Sequence, residues 1–364
     1  MRTGPTTLLL ACCLLGGAAA ASAQAVARNI QAATDVQRRQ EIAAMPSFVE
    51  GEVPPMYEGE SSDLGPQRLV TAKPAKPRMK WFEAWADSQI FYTSNFGFTE
   101  PDGDPDPIDT TMLVSTAEFA LSPEWALGGG RFNPRLGYRH QWFNYDVVEN
   151  DRQLNRSDFD IQTVFLELKH SLPGDRWRFG TGFEWSRYLG HEAPIEDYAE
   201  FYKEFMPFWR AQYVHPFGEN SLLAAEYFGN LHVTEVTPTQ DILSQQSWWV
   251  GSVADSAVLT DPRRCAYIND RMEHMLTVSW AQQVFARLVL RPYYRFMYTD
   301  YLKGDWGDRN DTLNTVGVIV SYGFTDWASV RAFVSYDHHE SDDETIPDYR
   351  KLDTGGGVSF SVRF

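Results

Sequence analysis

The chain has 364 residues, a formal net charge of −17 and 14% aromatic residues. Its acidic balance argues against nucleic acid as a partner, and a mean hydropathy of −0.39, with no long apolar run after the first two dozen residues, excludes spanning helices. Of the three cysteines, Cys12 and Cys13 fall in the leading segment, so Cys265 has no intramolecular partner and neither a disulfide framework nor a cysteine metal site is expected.

Residues 1–23 read as a signal peptide. Met1-Arg2 gives a positive start, residues 8–21 are apolar and small, and Ala21-Ser22-Ala23 before Gln24 is a small-x-small cleavage site. Residues 24–80 have a different texture from everything after them. Residues 27–45 have the pattern of a short amphipathic helix, and beyond them come Pro46, Pro54-Pro55, Gly65-Pro66, Lys73-Pro74 and Lys76-Pro77 among charges. Such a stretch buries too little apolar surface to offset its ordering entropy, and it reads as a flexible periplasmic leader.

From residue 81 to 364 apolar and polar residues alternate with the period of two-faced strands. Val330, Ala332, Val334 and Tyr336 oppose Ser329, Arg331, Ser335 and Asp337; Trp177, Phe179, Phe183 and Trp185 oppose Arg178, Gly180, Gly182, Glu184 and Ser186. About twelve such segments are expected, near 83–98, 110–122, 131–147, 158–171, 175–190, 203–217, 221–236, 271–284, 286–302, 311–324, 327–340 and 348–364. Each exceeds the ~9–11 residues a tilted strand needs to cross a bilayer, whereas strands of soluble proteins run to about 5–6. Connections alternate between tight turns, such as Pro173-Gly174-Asp175 and Gly218-Glu219-Asn220, and longer acidic loops, such as 101–107 and 237–270. The expected fold is therefore all-β: an antiparallel up-and-down transmembrane barrel of about twelve strands over 81–364, its apolar face toward lipid and its aromatic residues in two girdles.

The final run Val358-Ser359-Phe360-Ser361-Val362-Arg363-Phe364, with apolar residues at alternate positions and Phe last, resembles the Gram-negative outer-membrane β-barrel superfamily over about three-quarters of the chain. That resemblance implies an outer-membrane location and recognition of Phe360, Val362 and Phe364 as an insertion signal by the barrel-assembly machinery.

With lipid on one face, the other faces an interior expected to carry Glu118, Arg135, Arg139, Glu167, Lys169, Arg178, Glu184, Arg210, Gln212, Glu226, Glu273, Arg287, Arg291, Arg295, Arg331, Asp337 and Arg363. Mixed signs predict arginine–carboxylate pairs, and a twelve-strand barrel leaves both a narrow water path and a braced interior open. Arg287, Arg291, Arg295 and Arg331 read either as a basic ladder for anionic solutes or as braces against Glu273 and Asp337. The Asp337-His338-His339-Glu340-Ser341-Asp342-Asp343-Glu344 run is the densest set of metal-ligand types, yet its spacing matches no calcium loop and no nucleophile–base–orienter set. The 237–270 loop, with Trp248-Trp249 and Cys265, reads as structural filler, a plug or a binding surface. The expectation is a pore for small hydrophilic solutes, without cofactor or catalysis, against the alternative of a non-conducting structural or adhesion barrel acting through its outer loops.

Overall fold

The computed structural model describes residues 81–95, 109–145, 147, 158–191, 198–217, 220–236, 270–285, 287–303, 308–325, 327–343 and 348–363. They form thirteen strands: β1 (Phe82–Thr93), β2 (Thr110–Leu121), β3 (Trp125–Leu127), β4 (Gly130–Tyr145), β5 (Phe159–Ser171), β6 (Trp177–His191), β7 (Tyr198–Phe217), β8 (Ser221–Val236), β9 (Arg271–Phe285), β10 (Leu288–Tyr301), β11 (Asn310–Gly323), β12 (Ala328–Ser341) and β13 (Tyr349–Arg363). Sequential neighbours pair antiparallel except β2 and β3, β1 pairs β13, and β2 pairs β4, so the sheet closes on itself. The three-residue β3 prolongs β2 past the break at Ser122-Pro123-Glu124, and both pair with β4, which makes the ring twelve strands around. Closure leaves no sheet edge, the condition a β-structure must meet in lipid.

The residues at the tight connections explain one end of the barrel. Gly128 and Gly129 both have positive φ, +60° and +79°, the requirement of a two-residue turn whose twist matches its flanking strands. At the next turn Pro173 is followed by Gly174 at φ +82°, and the Asp175 amide closes on the Leu172 carbonyl at 3.0 Å. The β7–β8, β9–β10 and β11–β12 connections lie at this same turn end, together with the start of β1 and the end of β13. The β1–β2, β4–β5, β6–β7, β8–β9, β10–β11 and β12–β13 connections, mostly longer, lie at the other, loop end.

Alternation of side chains then produces two surfaces. Outward positions leave large apolar groups exposed along every long strand, among them Ile90, Phe119, Leu136, Val164, Leu276, Val316, Val334 and Val358. Trp125, Trp177, Phe217, Phe324 and Trp327 ring the turn end, while Tyr92, Trp142, Trp185, Phe205 and Tyr336 ring the loop end. Tyrosines of the loop-end girdle keep a polar tip. Tyr92 Oη donates to Asp109 at 2.9 Å, and Tyr298 Oη donates to Asn310 at 2.5 Å, the amphipathic behaviour expected at a membrane interface. A continuous apolar belt of this extent is unsustainable in water and is stabilised by acyl chains. Among the described residues no helix is long and apolar enough to cross a membrane; the strands make the crossing.

Candidate functional site in the barrel interior

The inward face is where the chemistry-bearing side chains converge, because one residue in two on each strand points there. On the wall formed by β1, β2, β4, β5, β6 and β7 a single charged network runs from strand to strand. Arg135 Nη2 donates to Glu118 at 2.9 Å, Nη1 to Glu167 at 2.9 Å, and Nε lies 3.3 Å from Glu83. Arg139 Nε donates to Glu118 at 3.0 Å and its Nη2 reaches Glu184 at 3.4 Å. Glu167 also holds Lys169 at 3.2 Å and Arg210 at 2.6 Å. The ring of Phe165 lies beside both guanidinium carbons of Arg135 and Arg139, 5.4 and 5.5 Å from its centroid. It fits there because Gly137 on the adjoining strand has no side chain: a Cβ at that position would lie 2.5 Å from the Phe165 ring.

Three further clusters line the interior. Arg331 grips Asp87 with both Nη atoms, at 2.6 and 2.7 Å, and also donates to Gln89 and Ser359; this two-point geometry is the strongest carboxylate pairing available to arginine. Lys351 lies 3.3 Å from Asp337 and 3.0 Å from Asp353. Near the loop end His232 sits between Glu204, 2.6 Å from its Nδ1, and Glu273, 3.1 Å from its Nε2, and Arg271 Nε donates to Glu273 at 2.6 Å. The ion pairs named here lie within one strand or join strands adjacent or one apart around the ring, so they follow the wall.

Of the residues singled out from sequence, Glu118, Arg139, Glu167, Lys169, Glu184 and Arg210 are brought together in the first network, and Glu226 accepts from Gln212 at 3.2 Å. Arg178 is inward and half-buried near the turn end, Arg291 and Arg295 are inward and buried on β10, and Glu273 and Arg331 occupy the clusters just described. Arg287 is a correction. It precedes β10 in the turn, is exposed, and its guanidinium donates to the Phe324 carbonyl, so it is no part of a ladder. The anticipated braces also differ: Arg331 pairs with Asp87 and not Asp337, while Asp337 and Glu273 are held by Lys351 and by Arg271 with His232. The side chain of Arg363 and residue Phe364 lie outside the described residues; Phe360 and Val362 are outward and exposed at 45% and 49%.

A second correction concerns the interior's character. Phe91, Met112, Val114, Phe143, Phe159, Ile161 and Tyr188 point inward on β1, β2, β4, β5 and β6 and are buried. Phe143 and Phe159 stack with 4.6 Å between centroids and 3° between planes. Parity carried the signal for this patch, since Phe159, Ile161 and Phe165 are in phase with Glu167 in Phe159–Ser171. Sequence reading also passed over His232, Glu204, Arg271 and Lys351.

The acidic run after Asp337 divides by strand alternation. His338 is outward and 36% exposed; His339 is inward, 3.4 Å from Asp311 and stacked on Tyr349 at 4.5 Å. Two adjacent histidines on opposite faces cannot share a metal ion, and among the described residues no group of three His, Cys, Asp or Glu is placed to hold one. Ser341 Oγ donates to Asp311 at 2.7 Å, which places the carboxylate between hydroxyl and imidazole; a base-activated serine requires the imidazole in that position.

No protein-family model matches the sequence, and no curated protein matches it. Among solved structures, the chain is similar to an outer membrane channel from Pseudomonas putida (9% identity, 79% of this chain and 97% of that chain, TM-score 0.47), the β domain of the Bordetella autotransporter BrkA (11%, 78% and 100%, 0.43) and the NanC porin (10%, 76% and 98%, 0.36). At these values the assignment rests on the chain's own geometry: a closed ring, two aromatic girdles, an apolar belt, and tight turns at one end with longer loops at the other. The chain is a closed transmembrane β-barrel. Among the described residues its interior is a wall of paired charges interrupted by the aromatic patch around Phe143 and Phe159 and by a second apolar cluster of Phe208, Phe228 and Met275 on β7, β8 and β9.

Proposed function

We propose that this outer-membrane barrel is a narrow pore for small hydrophilic solutes. The observation that carries the reading is the direction of the named ion pairs. Arg331 to Asp87, Arg135 to Glu83, Arg139 to Glu184 and Arg210 to Glu167 each skip one strand and stay on the wall, an arrangement that stiffens a lining without any of these side chains pairing across the axis. Placing charges where no water follows is costly, and apolar packing would hold a dry interior equally well. With twelve strands the conductance is expected to fall below that of the wide 16–18-strand channels. Purified full-length protein inserted into a planar bilayer is expected to give discrete current steps; a bilayer that stays sealed, with protein verified as folded by its heat-dependent shift on gels, removes the reading.

One observation favours the second reading, a non-conducting barrel that acts through its outer loops. Inward side chains are shielded from solvent, with Thr163 and Ile161 at 0% and Lys351 at 1% exposure. The same recording separates the two. The insertion-signal role of Phe360, Val362 and Phe364 remains a proposal alongside, supported by the outward exposure of the first two; deleting Phe364 is expected to lower the amount of barrel recovered from the outer membrane, and undiminished recovery removes that role.

A further inference from the structure

On β9, β10 and β11 the interior changes character. The register places Arg295 opposite Thr277 on one side and opposite Thr315 on the other, so three side chains share one face of three adjacent strands at one depth. Opposed residues of an antiparallel pair have their Cβ atoms about 5 Å apart, within reach of a common ligand. Arg295 is 4% exposed, and its Nη2 donates to Thr315 Oγ1 at 3.0 Å. Its Nε, and Thr277 Oγ1 beside it, are buried and have no hydrogen-bond partner among the described residues.

Two inward carboxylates flank this group in register, and each has a partner outside it. Glu226, opposite Thr277 on β8, accepts from Gln212, and Asp337, opposite Thr315 on β12, lies 3.3 Å from Lys351. Tyr293 shares the face, its ring lying across Gly317, where a Cβ would come within 2.6 Å of it. Arg291, four residues before Arg295 on the same inward face, adds a second positive charge.

We infer that Arg295, Thr277 and Thr315 form a recognition point for the carboxylate of a small solute passing along the wall. The chemistry is specific. A carboxylate offers two acceptor oxygens; one meets the Arg295 Nε–H, and the other accepts from the Thr277 hydroxyl, while Thr315 fixes the guanidinium plane by accepting a hydrogen bond from Nη2. This inference rests on the pore reading.

The test uses full-length protein in a planar bilayer under a potassium chloride gradient, with potassium acetate titrated into one chamber. Acetate is expected to reduce the wild-type chloride current. Arg295→Gln is expected to weaken that block about tenfold, the scale of one charged hydrogen bond, and Thr277→Val by a few-fold. Arg295→Lys, which keeps the charge without the planar fork, is expected to retain the current with weakened block. Arg178→Gln, an inward charge near the turn end, is expected to leave the block unchanged. Block unaltered in Arg295→Gln, or weakened equally in Arg178→Gln, overturns the inference while the pore reading stands. A wild type that folds but passes no current overturns the pore reading; saturation-transfer NMR with acetate on the refolded protein then decides the recognition point separately, with signal lost in Arg295→Gln supporting it and signal absent from the wild type overturning it.

Discussion

Two stretches of the same wall treat buried arginine in opposite ways. Across β1, β2, β4 and β5, Arg135 reaches three carboxylates, from Glu83, Glu118 and Glu167; on β9 to β11, Arg295 has threonines for register partners and one hydroxyl as acceptor. The first stretch pairs its arginines with several carboxylates of the wall, so they act as braces. The second keeps directional donors unmet, which is a poor way to stabilise a wall and a reasonable way to hold an anion. The difference teaches that inward charge in a barrel has no single meaning, and that its role depends on what stands opposite on the neighbouring strands.

The largest effect that tests this contrast is expected from removing the central brace. Arg135→Met leaves three inward carboxylates short of their shared cation, and unfolding by urea in detergent micelles, followed by tryptophan fluorescence, is expected to show a loss of about 3–5 kcal/mol, the cost of breaking a buried pair from one side. Arg295→Met is expected to cost far less, because among the described residues its acceptor is a hydroxyl and not a carboxylate. Equal losses at the two positions would erase the distinction between bracing and binding arginines.

How much of this was legible in sequence follows from what period-two alternation encodes. It marks which face a residue occupies, so the twelve long strands and the outward direction of Trp177, Tyr336 and Phe360 could be read directly. Depth along the barrel and identity of the cross-strand partner are set by register, which alternation does not specify. For that reason Arg331 was matched with Asp337, a residue on its own strand, when its partner Asp87 lies 244 positions earlier on β1 and meets it only through closure of the ring. Arg287 was misplaced because a turn residue continues the alternating pattern for one position past the strand. The three-residue β3 was missed because so short a strand shows no alternation.

The comparison also requires that the two faces of one strand tolerate charge differently. Val334 is outward and 43% exposed at mid-strand on β12, and Ser335 beside it points inward. Val334→Arg is expected to destabilise the barrel by about 2–4 kcal/mol in lipid vesicles, and Ser335→Arg by much less. Matching losses would mean that the inward face is as intolerant of charge as the lipid face, against any hydrated interior. A smaller steric effect, about 1–3 kcal/mol, is expected for Gly355→Val. Even a bare Cβ there would lie 2.3 Å from the Phe91 side chain and 2.4 Å from the Ile90 carbonyl; unchanged stability would show that β1 and β13 separate easily where the ring closes.

The smallest change is the most informative about water. Thr315→Val keeps shape and removes the one acceptor that Arg295 has among the described residues. If the interior is hydrated, a water molecule takes that acceptor role, and the loss is expected to be about 1 kcal/mol, the net worth of an ordinary hydrogen bond. In a dry interior the orphaned donor keeps its full desolvation penalty, up to about 3 kcal/mol. Thr163→Val, which removes the 2.9 Å bond to Ser186 in the aromatic stretch, provides the reference for a site without charge. A Thr315→Val loss near the upper figure, well above that of Thr163→Val, would favour the sealed barrel over the pore, because it would place Arg295 where solvent does not reach.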